Sequence, residues 1–277
     1  MKTNQHLIDH YSDYDEDGRL STRPGSVEFL TTMRYIERYL KPGDRILEIG
    51  AATGRYSHAL ARQGYAVDAV ELIEHNIEIF KKNTQPGEAV TVTQGNAMNL
   101  SGFADCIYDI TLLLGPLYHL YNPEDKRQAL SETIRVTKKG GIIFAAYVIS
   151  DSCILDEGFK RNRFSIVDYI KKGLIDPQTF TARSEPGMLF ELVRKENIDE
   201  LMSVFPTTRM HYVATGGYAR CMREEVEAMD DETFDLYLRY HFATCEREDL
   251  AGISSHTLDI FMKEDDEQVL NSYAGMV

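Results

Sequence analysis

The stretch Ile46-Leu47-Glu48-Ile49-Gly50-Ala51-Ala52-Thr53-Gly54 constrains the fold of this chain more than any other feature. Its apolar run stops at a turn of small residues, and the residues from Arg55 onward have the pattern of a helix. A strand, a tight turn and a helix N-terminus in this order expose backbone N–H groups to a ligand, because no large side chain covers them. Taken alone, the pattern also suits a tight turn in any α/β protein. The elements that follow it in the sequence determine whether it is a ligand-binding turn.

Composition narrows the classes of protein that fit. The 277 residues carry a net charge of −14 and have a pI near 5.0, which disfavours a general nucleic-acid binder, although a local basic groove stays open. The chain starts without the apolar core of a signal peptide, and no apolar run approaches the roughly 18 residues of a membrane span. The four cysteines form no CxxC pair. We expect a soluble cytoplasmic protein with no metal site.

Acidic and amide side chains follow the next two predicted strands. Glu71 ends the strand 66–70, where a carboxylate can accept hydrogen bonds from both hydroxyls of a ribose. Its alternative role is a favourable charge at the start of the next helix. Asn96 follows the strand 89–93 and could bind the edge of a purine, or it could be an ordinary turn residue.

The alternation of strands and helices predicts the fold. Further strands at 108–114 and 142–148 give five strands with four helical segments between them, which indicates an α/β fold with a doubly wound, parallel, Rossmann-like sheet. Ligands bind such sheets at the carboxyl ends of the strands. The 50–54 turn, Glu71, Asn96 and the loop 115–119 all lie at those ends, so we expect them to form one site.

This set of elements resembles the class I S-adenosylmethionine-dependent methyltransferases. The resemblance covers roughly residues 25–150. It implies a mostly parallel seven-stranded sheet and S-adenosylmethionine as the cofactor, with its methionine part at the glycine turn, its ribose at Glu71 and its adenine at Asn96. The predicted cofactor-binding residues of this core are Glu48, Gly50, Ala51, Ala52, Gly54, Glu71, Leu72, Asn96, Ala97, Leu114 and Gly115.

The sequence departs from the family pattern at two positions, and a nicotinamide dinucleotide is the main alternative cofactor. Ala52 replaces the middle glycine of the usual Gly-x-Gly-x-Gly, and the ribose acid is Glu71 rather than aspartate. A nicotinamide dinucleotide fingerprint needs glycines at its first, third and sixth positions. Those positions are Gly50, Ala52 and Arg55, and arginine at the sixth would hinder the close packing of helix on strand. A dinucleotide also gives no role to Glu48, so S-adenosylmethionine is the better prediction.

Four segments are expected along the chain. Residues 1–24 form an N-terminal arm, or a flap in which Tyr11 or Tyr14 covers the ligand and Arg19 faces a carboxylate. The cofactor-binding core then spans 25–150.

The remaining two segments complete the sheet. Residues 151–190 are expected to be a helical insertion, and 191–277 complete the sheet with strands near 208–214 and 255–262. A second helical insertion is expected at about 219–250. By the resemblance, both helical additions would lie over the active-site end, where substrate specificity arises, although plain helical packing stays an alternative.

The chemistry expected of the site is methyl transfer. This reaction is an in-line displacement, in which alignment and exclusion of water do most of the work. His119 is the candidate base if the acceptor arrives protonated, and Tyr118 could line the channel; both could instead only pack against the cofactor. The leading hypothesis is a methyltransferase acting on oxygen or nitrogen of a small molecule. The alternatives are a methyltransferase of RNA or protein, and a non-catalytic protein that binds the cofactor.

Overall fold

The computed structural model describes residues 5–13, 18 and 21–265. The strands of this part of the chain are β1 Arg45–Ile49, β2 Ala66–Glu71, β3 Val90–Gln94, β4 Tyr108–Leu113, β5 Thr137–Ile149, β6 Leu192–Val193, β7 Thr207–Ala214 and β8 His256–Lys263. They form one sheet in the hydrogen-bonded order β3-β2-β1-β4-β5-β8-β7, with β6 beside β5. The pairs formed among β1 to β6 are parallel.

Helices connect and flank these strands. The α-helices of the described residues are α1 Gln5–Asp13, α2 Arg23–Tyr39, α3 Arg55–Arg62, α4 Glu74–Asn83, α5 Pro123–Val136, α6 Ser150–Cys153, α7 Ile166–Lys171, α8 Lys195–Met202, α9 Arg223–Glu227, α10 Asp231–Thr244 and α11 Glu248–Ala251. Short 3₁₀ helices occupy Pro116–His119 and Gly217–Ala219, and a π-helix occupies Ile154–Lys160. The predicted α/β fold with a mostly parallel, doubly wound sheet is confirmed.

The strand order reverses its direction beside β1. From β1 the chain builds β2 and β3 on one side, and it then resumes with β4 on the other side of β1. Such a switch point opens a crevice at the carboxyl ends of the two strands, because their connections leave in opposite directions. The turn after β1 and the loop after β4 therefore meet there.

The sheet has one strand more than the sequence predicts. The additional strand is the two-residue β6, in which Leu192 pairs with Val148 of β5. A strand this short leaves no alternating pattern in the sequence, so periodicity does not detect it. β5 also begins at Thr137, five residues before the predicted start, and its pairing with β4 shifts register between Tyr108 and Ile110.

The chain divides into two compact units, each assembled from three separate stretches. The first unit takes the described parts of 39–145, 200–211 and 259–277. β1 and β4 of this unit are buried almost throughout, as expected for central parallel strands covered on both faces. β3 is half-exposed because it is the edge strand of the sheet. Asn122 caps α5 by accepting a hydrogen bond from the N–H of Glu124 at 3.2 Å.

The second unit takes the described parts of 1–38, 146–199 and 212–258. Helices occur in both stretches expected to be helical insertions: the π-helix with α6 and α7 in the first, and α9 to α11 in the second. α10 begins where Asp230 accepts a hydrogen bond from the N–H of Thr233 at 2.8 Å. The predicted segment boundaries stay predictions.

Candidate functional site

The turn after β1 brings a run of small residues to the switch point. Gly50 has φ +78°, and a Cβ there would lie 2.6 Å from Cδ of Pro116 in the loop after β4. Because only glycine permits this approach, the two loops at the crevice touch. The N–H of Gly50 donates to the carbonyl of Val70 at 2.8 Å, which fixes the turn to β2.

The end of the turn is packed as closely as its start. Gly54 has φ +89° and precedes α3, and a Cβ there would overlap the ring of Phe80 and lie 2.7 Å from Nε2 of His58. Ala51 lies in the same buried cluster as Ala69 and Phe80. The turn is therefore held between the sheet and α4, with its backbone as the surface that remains for a ligand.

Ala52, which stands where the family pattern has a glycine, adopts a left-handed backbone conformation. Its φ is +47°, in the left-handed region that costs an alanine about 1 kcal/mol. The N–H of Ala52 donates to Oε2 of Glu71 at 2.8 Å. This hydrogen bond to a carboxylate helps to hold the strained residue in place.

Glu71 joins two loops of the first unit. While Oε2 accepts the hydrogen bond from Ala52, Oε1 accepts one from the N–H of Ile73 at 2.8 Å and a longer one from Nδ2 of Asn76 at 3.4 Å. The side chain is 5% exposed, and burial raises its pKa against the lowering effect of these hydrogen bonds. A carboxylate has about four acceptor positions. The backbone N–H of Leu72 bonds this carboxylate as well, so a ribose hydroxyl would have to replace a donor, and the 3.4 Å bond from Asn76 is the longest of those measured.

Glu48 connects β1 to the helix that follows the turn. Its carboxyl group accepts a 2.9 Å hydrogen bond from the backbone N–H of Ser57 and bonds the Ser57 hydroxyl as well. This satisfies one of the N–H groups that the start of α3 leaves unpaired. Burial raises the pKa of Glu48 to about 8, and the neighbouring charge of Glu71 adds to the rise. Glu48 therefore carries a proton at neutral pH in the folded protein.

This protonation predicts a pH dependence of stability. Between pH 4.5 and 8 the unfolded chain ionises Glu48 while the folded protein keeps it neutral, so stability falls as pH rises through this window. We expect Glu48→Gln to remove a loss of roughly 3 kcal/mol between pH 5 and 8, measured by urea unfolding without ligand. Glu78→Gln removes an exposed carboxylate of α4 as the control. Identical pH profiles for wild type and Glu48→Gln would contradict the prediction.

The predicted adenine-binding residues lie after β3. Oδ1 of Asn96 accepts a hydrogen bond from the N–H of Met98 at 2.9 Å, so its carbonyl oxygen shapes a local turn. Ala97 is buried, while Asn96 and Leu72 are half-buried. The roles of Asn96 and Ala97 toward adenine, and of Leu72 toward the cofactor, stay predictions.

The predicted catalytic residues lie in the 3₁₀ helix after β4. Tyr118 and His119 are half-buried, and their rings meet edge to face with centroids 4.8 Å apart. The Tyr118 hydroxyl lies 3.5 Å from where a Cβ on Gly115 would be. Gly115 is buried and Leu114 is half-buried. These residues belong to the loop that touches Gly50, and their roles stay predictions.

The predicted flap is described only in part. Tyr11 lies on α1, where its ring meets that of His10 edge to face at 5.0 Å. Tyr14 and Arg19 lie outside the described residues. The flap and its contacts with a ligand stay predictions.

His58 is a buried residue beside the glycine turn that the sequence analysis missed. Its Nδ1 lies 2.7 Å from Oε2 of Glu88, and its ring packs on Phe80 at 4.5 Å. Its Nε2, next to Gly54, has no hydrogen-bond partner among the described residues. The signal available in the sequence was the spacing, since a residue four positions after the last glycine lies on the same face of the helix.

The described residues contain neither a membrane-spanning helix nor a metal-ligand cluster. No helix among them is long and apolar enough to cross a membrane. The same residues contain no group of three or more histidine, cysteine, aspartate or glutamate side chains that could hold a metal ion.

The sequence of this chain is similar to those of known methyltransferases. Residues 47–145 match the model of a methyltransferase domain family. A demethylmenaquinone methyltransferase from Clavibacter sepedonicus is 33% identical over 101 residues, which are 36% of this chain and 40% of that protein. A ribosomal protein L11 methyltransferase from Listeria innocua is 27% identical over 144 residues, which are 50% of this chain and 43% of that protein. The chain thus spans about two fifths of the length of these relatives.

A solved structure shares the fold over most of its length. It is a SAM-dependent methyltransferase from Methanosarcina mazei, with a TM-score of 0.54 and 18% sequence identity. The alignment covers 83% of this chain and 97% of that one. At this identity the likeness is one of fold.

Proposed function

We propose that this chain, whose residues 47–145 match a methyltransferase domain family, transfers the methyl group of S-adenosylmethionine to an oxygen or nitrogen atom of a small molecule. The observation that carries the proposal is the switch point. There a turn of small residues contacts the loop after β4, and Glu71 ties that turn to the loop after β2.

The residues at the switch point suit S-adenosylmethionine, the cofactor of this domain family. Gly50 and Gly54 lie where a Cβ would collide with Pro116 or Phe80, so only glycine lets the turn pack against these neighbours. Between them the turn carries only the small side chains of Ala51, Ala52 and Thr53, which leaves its backbone approachable. The carboxylate of Glu71 is an acceptor for ribose hydroxyls. When bound, the cofactor supplies a methyl group on a positively charged sulfur.

The chain's own residues orient this transfer and keep water out. The turn and Glu71 hold the cofactor, and the loop carrying Tyr118 and His119 receives the acceptor. Holding both reactants in line supplies most of the acceleration, because it removes the entropy cost of their encounter. His119 takes the proton of an acceptor that arrives protonated, and Tyr118 lines the path of the methyl group.

The negative net charge of the chain favours a small acceptor over RNA. The chain carries −14, whereas a protein that binds RNA neutralises phosphates with a basic face. The names of the relatives point both ways, since one is a demethylmenaquinone methyltransferase and another a ribosomal protein L11 methyltransferase. A protein acceptor is therefore the second candidate.

Methyl-labelled cofactor tests both candidates. Purified protein is incubated with it and with a cell extract split into small-molecule, RNA and protein pools. We expect label in the small-molecule pool. Label only in protein or only in RNA would overturn the small-molecule acceptor, and cofactor binding without label in any pool would indicate a non-catalytic binding protein.

His119→Ala then separates a base from a binding residue. If His119 removes the proton, we expect kcat to fall about 100-fold while cofactor affinity is retained. His75→Ala, which removes an exposed histidine of α4, is the matched control. A His119→Ala variant with wild-type kcat would refute the role as base.

A further inference from the structure

The second unit contains a buried carboxylate surrounded by three arginines. Asp156 lies on the π-helix Ile154–Lys160, and its side chain is fully buried. Its oxygens lie 3.2 Å from Nε of Arg161, 3.0 Å from Nη2 of Arg223 and 3.5 Å from Nε of Arg220. One negative charge thus draws three positive charges together.

The neighbouring carboxylate does not balance the excess. Glu157 lies 2.8 Å from Nη2 of Arg220 and 3.1 Å from Nε of Arg163, and it is 3.9 Å from Arg223. Two carboxylates therefore face four arginines. The chain as a whole is acidic, with a net charge of −14. Its composition therefore does not account for a partly buried cluster that carries two surplus positive charges.

Partly buried positive charges need compensation, because removing an ion from water costs several kcal/mol unless an opposite charge is close. Burial and then the repulsion of Arg161 lower the pKa of Arg223. A balanced pair in the first unit shows the contrast. Asp259, equally buried, is met by Arg209 through two bonds of 2.6 Å.

The cluster is held in place by local backbone structure. The N–H of Arg161 donates to the carbonyl of Asp156 at 2.9 Å, and the N–H of Arg163 donates to that of Glu157 at 2.8 Å. Gly158 packs so closely that a Cβ there would lie 2.5 Å from Cδ1 of Ile166. π-helices are rare in proteins, and those that occur often lie at functional sites. The arginines from this segment are thus positioned before any ligand arrives.

The three guanidinium groups keep donors to offer. The side chains of Arg161, Arg220 and Arg223 are 19%, 37% and 33% exposed, so solvent reaches part of each. Four of their nitrogen atoms donate hydrogen bonds to acceptors among the described residues: Nε of Arg161, Nη2 of Arg220, and Nε and Nη2 of Arg223. The other terminal N–H groups lack a protein acceptor there. Planar guanidinium groups bind carboxylate and phosphate through pairs of N–H groups.

We propose that Arg161, Arg220 and Arg223, gathered around Asp156 and Glu157, form a binding site for the carboxylate or phosphate group of a small ligand. The ligand's negative charge offsets the surplus of the cluster, and the free N–H groups supply its hydrogen bonds. The site is defined within the second unit and does not depend on methyl transfer.

Isothermal titration calorimetry without cofactor tests the site. Inorganic phosphate and acetate are titrated separately, at constant ionic strength, into the full chain. We expect saturable binding of at least one of them, and the tighter one shows whether the site suits a phosphate or a carboxylate. Arg161→Gln should weaken that binding at least tenfold, since Asp156 keeps Arg220 and Arg223 while one cation is lost.

Two further variants keep the test decisive. Arg62→Gln removes a 57% exposed arginine that pairs with Glu88, and it should bind the anions as wild type does. Arg223→Lys keeps the charge and loses the planar group, so a smaller loss is expected and can be measured if Arg161→Gln fails to fold. Absence of saturable binding of both anions, or wild-type affinity in the folded arginine variants, would overturn the proposal.

Discussion

Glu71→Ala is expected to weaken S-adenosylmethionine binding at least 100-fold. The substitution removes the acceptor of the N–H groups of Ala52 and Ile73, which leaves the turn after β1 and the loop after β2 without their shared anchor. Each hydrogen bond to a charged group contributes about 1.5–3 kcal/mol, and the ribose contact is lost as well. Isothermal titration calorimetry with the cofactor measures the effect.

The matched control for this variant is Glu74→Ala. Glu74 lies three residues further along the chain, in the first turn of α4, and is exposed. It removes the same charge without touching the loops, so cofactor affinity should stay within about threefold of wild type, as for other surface substitutions. A folded Glu71→Ala variant that binds as tightly as Glu74→Ala would contradict the assignment of Glu71 to the cofactor.

Gly54→Ala is expected to destabilise the protein by about 3 kcal/mol and to lower cofactor affinity. A methyl group at φ +89° strains the backbone, and it would also overlap Phe80 and approach His58. Relief of the overlap must shift the turn or α4, and both movements change the surface that receives the ligand. Urea unfolding and cofactor titration measure the two effects.

Gly64→Ala separates strain from collision. Gly64 has φ +94°, nearly the same backbone conformation, and a Cβ there would meet nothing within 4 Å. It should lose only the strain term of about 1 kcal/mol and keep wild-type cofactor affinity. Equal losses in the two variants would show that packing against Phe80 does not shape the turn.

The sequence predicted the fold and the meeting point of the site because both follow from local patterns. The run before Gly50, the acid at Glu71 and the apolar strand before Leu114 each show their structure within about ten residues. Parallel sheet topology then brings their ends together. The two-residue β6 escaped, since its pairing comes from tertiary contact and not from periodicity.

The contacts that the sequence did not predict join residues of types with several ordinary roles. The sequence predicts a cofactor-binding role for Glu48, which stays a prediction, but it does not indicate the bonds of this carboxyl group to Ser57 at the start of α3. Arg220 and Arg223 lie more than 60 positions from Asp156 and Glu157. In the sequence these four residues look like surface charges, and only the fold gathers them.

Because Glu71 bonds both the turn after β1 and the loop after β2, these two segments become ordered during folding and not during ligand binding. Because Ala52 and Ile73 are already bound to this carboxylate, the two loops lose their conformational freedom when the chain folds. A ligand then meets a rigid receptor, and little of its interaction energy is spent on immobilising backbone.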